Sequence, residues 1–190
     1  TVAAGQTVEL TNLRGAFDLD IKSAATVTSQ SIKVDGVGTL ATPAQVDING
    51  TGVATVNITG SGTNSGFSLG LTGGALKTVN IDGTARVFLA NELTGVTTID
   101  ASKSTGGARV LISTTNDVKF TGSSAADRVD VGAAGIGAAD IIVGGAGTDT
   151  LRTGQAISKA DGAGISGFEI LSVANGITQD VDALIANNPF

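Results

Sequence analysis

The sequence predicts an all-β chain, and among all-β folds a parallel β-solenoid of the β-helix or β-roll kind, with a β-sandwich as the alternative. Three observations lead there. Short runs with an apolar residue at every second position recur along the 190 residues, each closed by Gly, Asn, Asp or Ser, which is the mark of many short strands. Hydrophobic residues make up 41% but aromatic residues only 3%, with 28 Gly, so the core must be thin and aliphatic. Of the 17 acids, 14 are Asp; the short Asp carboxylate competes for backbone donors and favours turns over helices.

Taken in order, Val8, Leu10, Phe17, Leu19, Ile21, Ile32 and Val34 define three N-terminal strands within residues 1–45. Pro43 suits the turn or edge before the next strand. The central region, 46–151, carries Val46–Ile48, Val56–Ile58, Phe67–Leu69, Val79–Ile81, Val87–Leu89, Thr98–Asp100, Val110–Ile112, Val118–Phe120, Val129–Val131 and Ile141–Val143. Residues 152–190 begin with a Gly, Ala and Ser-rich stretch. They continue through Phe168–Leu171, which reads as a final strand. Thr178 to Ala186 reads as a short helix capped by Thr178, with Val181, Leu184 and Ile185 on one side. This last segment would serve as a cap or a linker.

The spacing of the runs argues for a coil. Ile48, Ile81, Ile112 and Val143 are separated by 33, 31 and 31, and Ile58, Leu89 and Phe120 by 31 and 31. A period near 31 suits a three-sided coil with one strand per face and parallel pairing between turns. Short strands closed by regular turn signals also suit an antiparallel sandwich, with Asn49-Gly50 and Asp82-Gly83 as hairpin turns. On the coil, Asp47 and Asn80, and likewise Asp100, Asp130 and Asp161, would stack at equivalent positions.

Composition excludes several function classes. With no Cys and no His there is no disulfide framework, Cys/His zinc site, thiol nucleophile or Ser-His-Asp triad. A net charge of −6 disfavours nucleic-acid binding through phosphates. No apolar run is long enough for a membrane-spanning helix. The start at Thr1, without a basic flank or apolar signal core, reads as a mature or excised fragment. Without Tyr, Trp or His the chain is poorly equipped as a carbohydrate-processing enzyme, so no catalytic role is expected.

One local motif carries chemistry. Gly144-Gly145-Ala146-Gly147-Thr148-Asp149-Thr150-Leu151 fits the G-G-x-G-x-D-x-U calcium-binding repeat of parallel β-rolls. Glycines permit a tight turn with inward carbonyls, Asp supplies a hard anionic oxygen, and the last apolar residue enters the core. Gly135 to Ile142, containing Gly137 and Asp140, is a degraded copy, and Gly122 to Val129, containing Asp127, a weaker one. One or two sites built from Asp127, Asp130, Asp140 and Asp149 with Gly144, Gly145 and Gly147 would use calcium as cofactor. Arg128 beside Asp127 counts against the weakest copy. The other reading is a set of plain Gly-Asp turns in which each Asp caps its own loop.

These residues, together with Thr121–Asp127 and Ile165–Leu171, resemble the repeat segments of bacterial surface-layer proteins and RTX-type secreted proteins. The likeness covers about 110–175 by motif and the whole chain by composition. It implies an extracellular location at the bacterial cell surface and a structural domain that folds and assembles into a lattice with calcium. It implies self-association as the main contact, with cell-surface polysaccharide as an external partner. A secreted adhesin domain binding a surface or glycan, and a β-solenoid polysaccharide-processing enzyme, are the alternatives. The family usually carries several intact nonapeptides in a row; here one is intact.

Overall fold

The structure is a computed structural model that describes residues 1–73, 75–112 and 115–190. Its strands follow one another as β1 (Thr7–Thr11), β2 (Asp18–Lys22), β3 (Ser29–Asp35), β4 (Ala44–Asn49), β5 (Thr55–Gly60), β6 (Ser65–Thr72), β7 (Thr78–Gly83) and β8 (Val87–Glu92). They continue as β9 (Thr98–Ser104), β10 (Ala108–Ile112), β11 (Lys119–Thr121), β12 (Arg128–Val131), β13 (Ile141–Val143), β14 (Thr150–Thr153), β15 (Ile165–Ser166) and β16 (Ile170–Val173). The odd-numbered strands form one eight-stranded sheet in chain order and the even-numbered strands form a second. Pairing between these strands is parallel throughout. This is a parallel β-solenoid, and no antiparallel hairpin forms at Asn49-Gly50 or Asp82-Gly83.

The coil has two sides rather than three. Its tightest turn runs from Val110 to the register partner Val129 and its widest from Leu19 to Val46, so every turn is shorter than the period of 31. That period has a simple origin. Successive strands are almost evenly spaced, so a step of three strands is also regular, but in a two-sided coil it lands on the opposite sheet. Ile48, Ile81, Ile112 and Val143 accordingly alternate between β4, β7, β10 and β13. The same reason separates Asp47 from Asn80 and Asp100 from Asp130, which lie on different sheets. What stacks instead is Asn57 on Asn80, in register, with Asn80 Nδ2 donating to Asn57 Oδ1 at 2.8 Å.

The core is a set of aliphatic ladders between the two sheets. On the odd sheet Val56, Val79, Ile99, Phe120, Ile142 and Ile165 are successive register partners. On the even sheet Val110, Val129, Leu151 and Leu171 continue the pattern. All but Leu171 are buried. Alternating side chains from each strand meet their equivalents one coil away, so branched aliphatic residues fill most of the space, with Phe67, Phe120 and Phe168 as its largest buried side chains. The N-terminal strands β1 to β3 belong to the same two sheets and the same core.

The C-terminal segment covers the last coil, with a shorter helix than the sequence suggests. The helix α1 (Asp182–Ile185) has Val181 at its N-cap and no side-chain capping bond; Thr178 lies outside it. Leu184 is buried, whereas Val181 and Ile185 are exposed. Asn188, itself buried, donates from Nδ2 to the carbonyls of Ile165 and Leu184 and accepts from Phe168 N–H. A buried amide satisfying three backbone groups is the polar closure of an otherwise apolar end.

Candidate functional site

The intact nonapeptide lies at the edge where odd strands turn into even ones. Asp149 is the residue before β14, Asp127 the residue before β12, and Glu169 the residue before β16. Extending the strand registers by one position makes Ala108, Asp127, Asp149 and Glu169 equivalent. Each acid reaches back one coil. Asp127 Oδ1 accepts the N–H of Ala108 at 2.5 Å, Asp149 Oδ1 that of Asp127 at 2.7 Å, and Glu169 Oε2 that of Asp149 at 2.8 Å. Asp127 Oδ2 also accepts Ser123 N–H at 2.6 Å. At a corner the strand ladder is interrupted, and a buried N–H without a partner is costly. The carboxylate supplies that partner, stapling one coil to the next.

The glycines serve the same close stacking. A Cβ on Gly122 would stand 1.7 Å from Gly144 O, and one on Gly144 1.9 Å from Gly167 O, so three corner backbones are in contact and none has room for a side chain. Gly145 and Gly147 adopt φ of 107° and 129°, a region that L side chains rarely enter.

Burial dominates the electrostatics of the staple. It pushes the carboxyl of Asp127 up, against the hydrogen bonds from Ser123 and Ala108 and the charge of Arg86. Asp149 is fully buried and is pushed up to about 6, first by burial and further by the negative charges of Asp127 and Glu169, against the bond from Asp127 N–H. Its Oδ2 is buried without a hydrogen-bond partner.

The remaining candidates lie elsewhere. Asp140 sits on the opposite edge, before β13, and repeats the staple there: Oδ1 accepts Val118 N–H at 2.7 Å, one coil back, and Oδ2 accepts Gly137 N–H at 2.8 Å. Asp130 projects from β12 into an arginine cluster, with Arg109 Nε at 2.9 Å, Arg128 Nη2 at 2.8 Å and Arg152 Nη1 at 3.7 Å. Burial pushes its carboxyl up, but Arg128 and Arg109 outweigh that and hold it below the ordinary range. Arg128 therefore pairs with Asp130 and not with its neighbour Asp127.

The structure thus brings Asp127 and Asp149 together with Gly144, Gly145 and Gly147, and places Asp130 and Asp140 apart from them. Calcium takes six to eight oxygen ligands. Among the described residues no group of three or more acids is placed to share a metal. The oxygens of Asp127 and Asp140 are engaged by N–H donors, which leaves Asp149 Oδ2 as the free carboxylate oxygen of the four-Asp set. In this arrangement the set does not form one coordination shell.

Two features escaped the sequence reading. Glu169 is the third rung of the staple, and its signal is a separation of one coil from Asp149. Arg86, Arg109, Arg128 and Arg152 each stand about one coil from the next, and a search at that period finds them.

The fold and its stapled edges define the class: an all-parallel, two-sheet β-solenoid scaffold. No family model, no curated protein and no solved structure matches the chain.

Proposed function

We propose that the chain is a non-catalytic structural domain of a bacterial surface layer, working outside the cell as a stiff building element that self-associates. The observation that carries this reading is the continuous coil-to-coil bonding. Two parallel sheets and a continuous apolar core tie every turn to the next, and acid staples reinforce the C-terminal coils on both edges, which suits a load-bearing element. The surface-layer assignment adds the likeness of the Gly144–Leu151 motif and of the Cys-free composition to those repeats.

Calcium-assisted folding and assembly belong to the same proposal. Asp149 is where a cation would matter most, because its buried Oδ2 has no partner and its charge is costly beside Asp127 and Glu169. A calcium titration followed together by calorimetry and light scattering tests the reading. Binding heat and growth in particle size are expected, both reduced in Asp149→Asn. Absence of heat and of any size change in the parent chain would overturn the calcium-assisted assembly.

A further inference from the structure

The chain's positive charge is sorted by residue type. All five arginines lie on or beside the even sheet, at Arg14 and Arg86 in corners leading into β2 and β8, and at Arg109, Arg128 and Arg152 on β10, β12 and β14. Five of the six lysines lie off that sheet, Lys22 on β2 being the other. Arg14, Arg86, Arg109 and Arg128 line one groove of about 560 Å³.

The groove is positive inside an acidic protein. The one acid in its lining is Asp127, which is buried and turned onto the N–H groups of Ala108 and Ser123. Asp130 lies beneath Arg109 and Arg128 and orients both. Counting both acids, the four guanidinium groups keep a surplus of two positive charges, whereas the whole chain carries −6. Among the described residues neither Arg14 nor Arg86 is in an ion pair.

The groove is also built and held. Arg86 lies across Gly107, where a Cβ would meet its Nε at 3.2 Å, and its Nη2 donates to Ala126 O at 2.6 Å. The corner 38–42 lies over Gly66, where a Cβ would stand 2.7 Å from the Thr39 backbone, and it brings Thr39 and Leu40 to the groove. Thr63, Asn64, Thr148 and Thr150 add polar side chains to the lining.

We propose that this groove binds an acidic sugar chain running along the solenoid axis, with its carboxylate or sulfate groups on Arg86, Arg109 and Arg128. Arginine forks match such planar or tetrahedral oxyanions by paired hydrogen bonds, and the Thr and Asn side chains match ring hydroxyls. Arg109 and Arg128 are register partners on adjacent strands, and strands repeat every ~4.8 Å, a step comparable to the length of one sugar ring. Single-stranded nucleic acid fits less well, because it needs free aromatic faces for stacking. Here the Phe88 ring is covered by Arg109, whose guanidinium carbon is 4.8 Å from its centroid. This inference does not rest on lattice assembly or on calcium.

Calorimetric titration of the chain with an oligogalacturonate, a heparin fragment, a neutral oligosaccharide of similar length and a short oligothymidylate tests it. At least one acidic sugar should bind, more weakly as salt is raised, and the neutral sugar should not. Arg86→Gln, which breaks no ion pair among the described residues, and Arg128→Gln, which leaves Asp130 with two arginines, should each weaken that binding about tenfold, while Lys119→Gln on the opposite sheet should not. Circular dichroism of each variant checks that the fold is retained. Failure of both acidic sugars to bind, equal binding by the arginine variants, or tighter binding of the oligothymidylate would each overturn the proposal.

Discussion

Replacing Asp149 by Asn removes the most costly charge in the staple while keeping its shape. The amide oxygen can still accept Asp127 N–H, a bond of 2.7 Å in the parent chain. A carboxyl that titrates at about 6 in the fold rather than 3.8 costs the folded state ~3 kcal/mol when it ionises. The preceding corner residues Gly145–Thr148 are exposed, and solvent screening reduces this to about 1–2 kcal/mol. The sign follows from proton binding. Between the unfolded and folded values the native state holds more protons, so stability falls as pH rises through that window, and the penalty is complete above about 6. The substituted amide cannot ionise. Urea unfolding in calcium-free buffer should therefore show Asp149→Asn gaining about 1–2 kcal/mol relative to the parent between about pH 3.5 and about pH 8. Comparing two pH values cancels any constant offset from the new amide hydrogens. A difference independent of pH, or one that turns against the variant as pH rises, would refute the assignment of a buried, charge-strained carboxyl.

Other perturbations should divide cleanly. Asp130→Ala removes the carboxylate that holds Arg109, Arg128 and Arg152; since the folded pKa is lowered, its stabilisation is present above the unfolded value and lost as pH falls through the folded one. With the arginine side chains 24% to 50% exposed, the loss at neutral pH should be about 1–2 kcal/mol, fading in acid, by urea unfolding across pH. Gly144→Ala forces a Cβ against Gly167 O and should cost about 2–4 kcal/mol; Gly154→Ala, whose Cβ would meet nothing within 4 Å, should stay within about 0.5 kcal/mol. Phe120→Ala empties a fully buried rung of the odd-sheet ladder and should cost about 3–5 kcal/mol by the same assay.

Much of the fold can be read from residues alone, because period-two burial and Gly-Asp punctuation are local signals. The strands at Val56–Ile58, Val79–Ile81 and Val110–Ile112 are plain from alternation, and Asp149 at a Gly-rich corner is plain from its motif. The number of sides is not local. It depends on which strands pair, and evenly spaced strands look periodic at every multiple of their spacing, so Ile48 and Ile81 share a rhythm without sharing a sheet. The staple was half legible for the same reason. Asp127 and Asp149 carry a recognisable loop, but the N–H that each satisfies belongs to a residue one coil earlier, and Glu169 carries no loop motif. The arginines were missed because each looks isolated until the two-sided coil brings them to one face.

The most direct measurement of the structural role is electron microscopy of the chain before and after calcium is added, with light scattering on the same samples. A self-associating surface-layer element should pass from dispersed particles to regular arrays or filaments, and chelation should reverse the change. Particles that stay dispersed and unchanged in size at saturating calcium would contradict it.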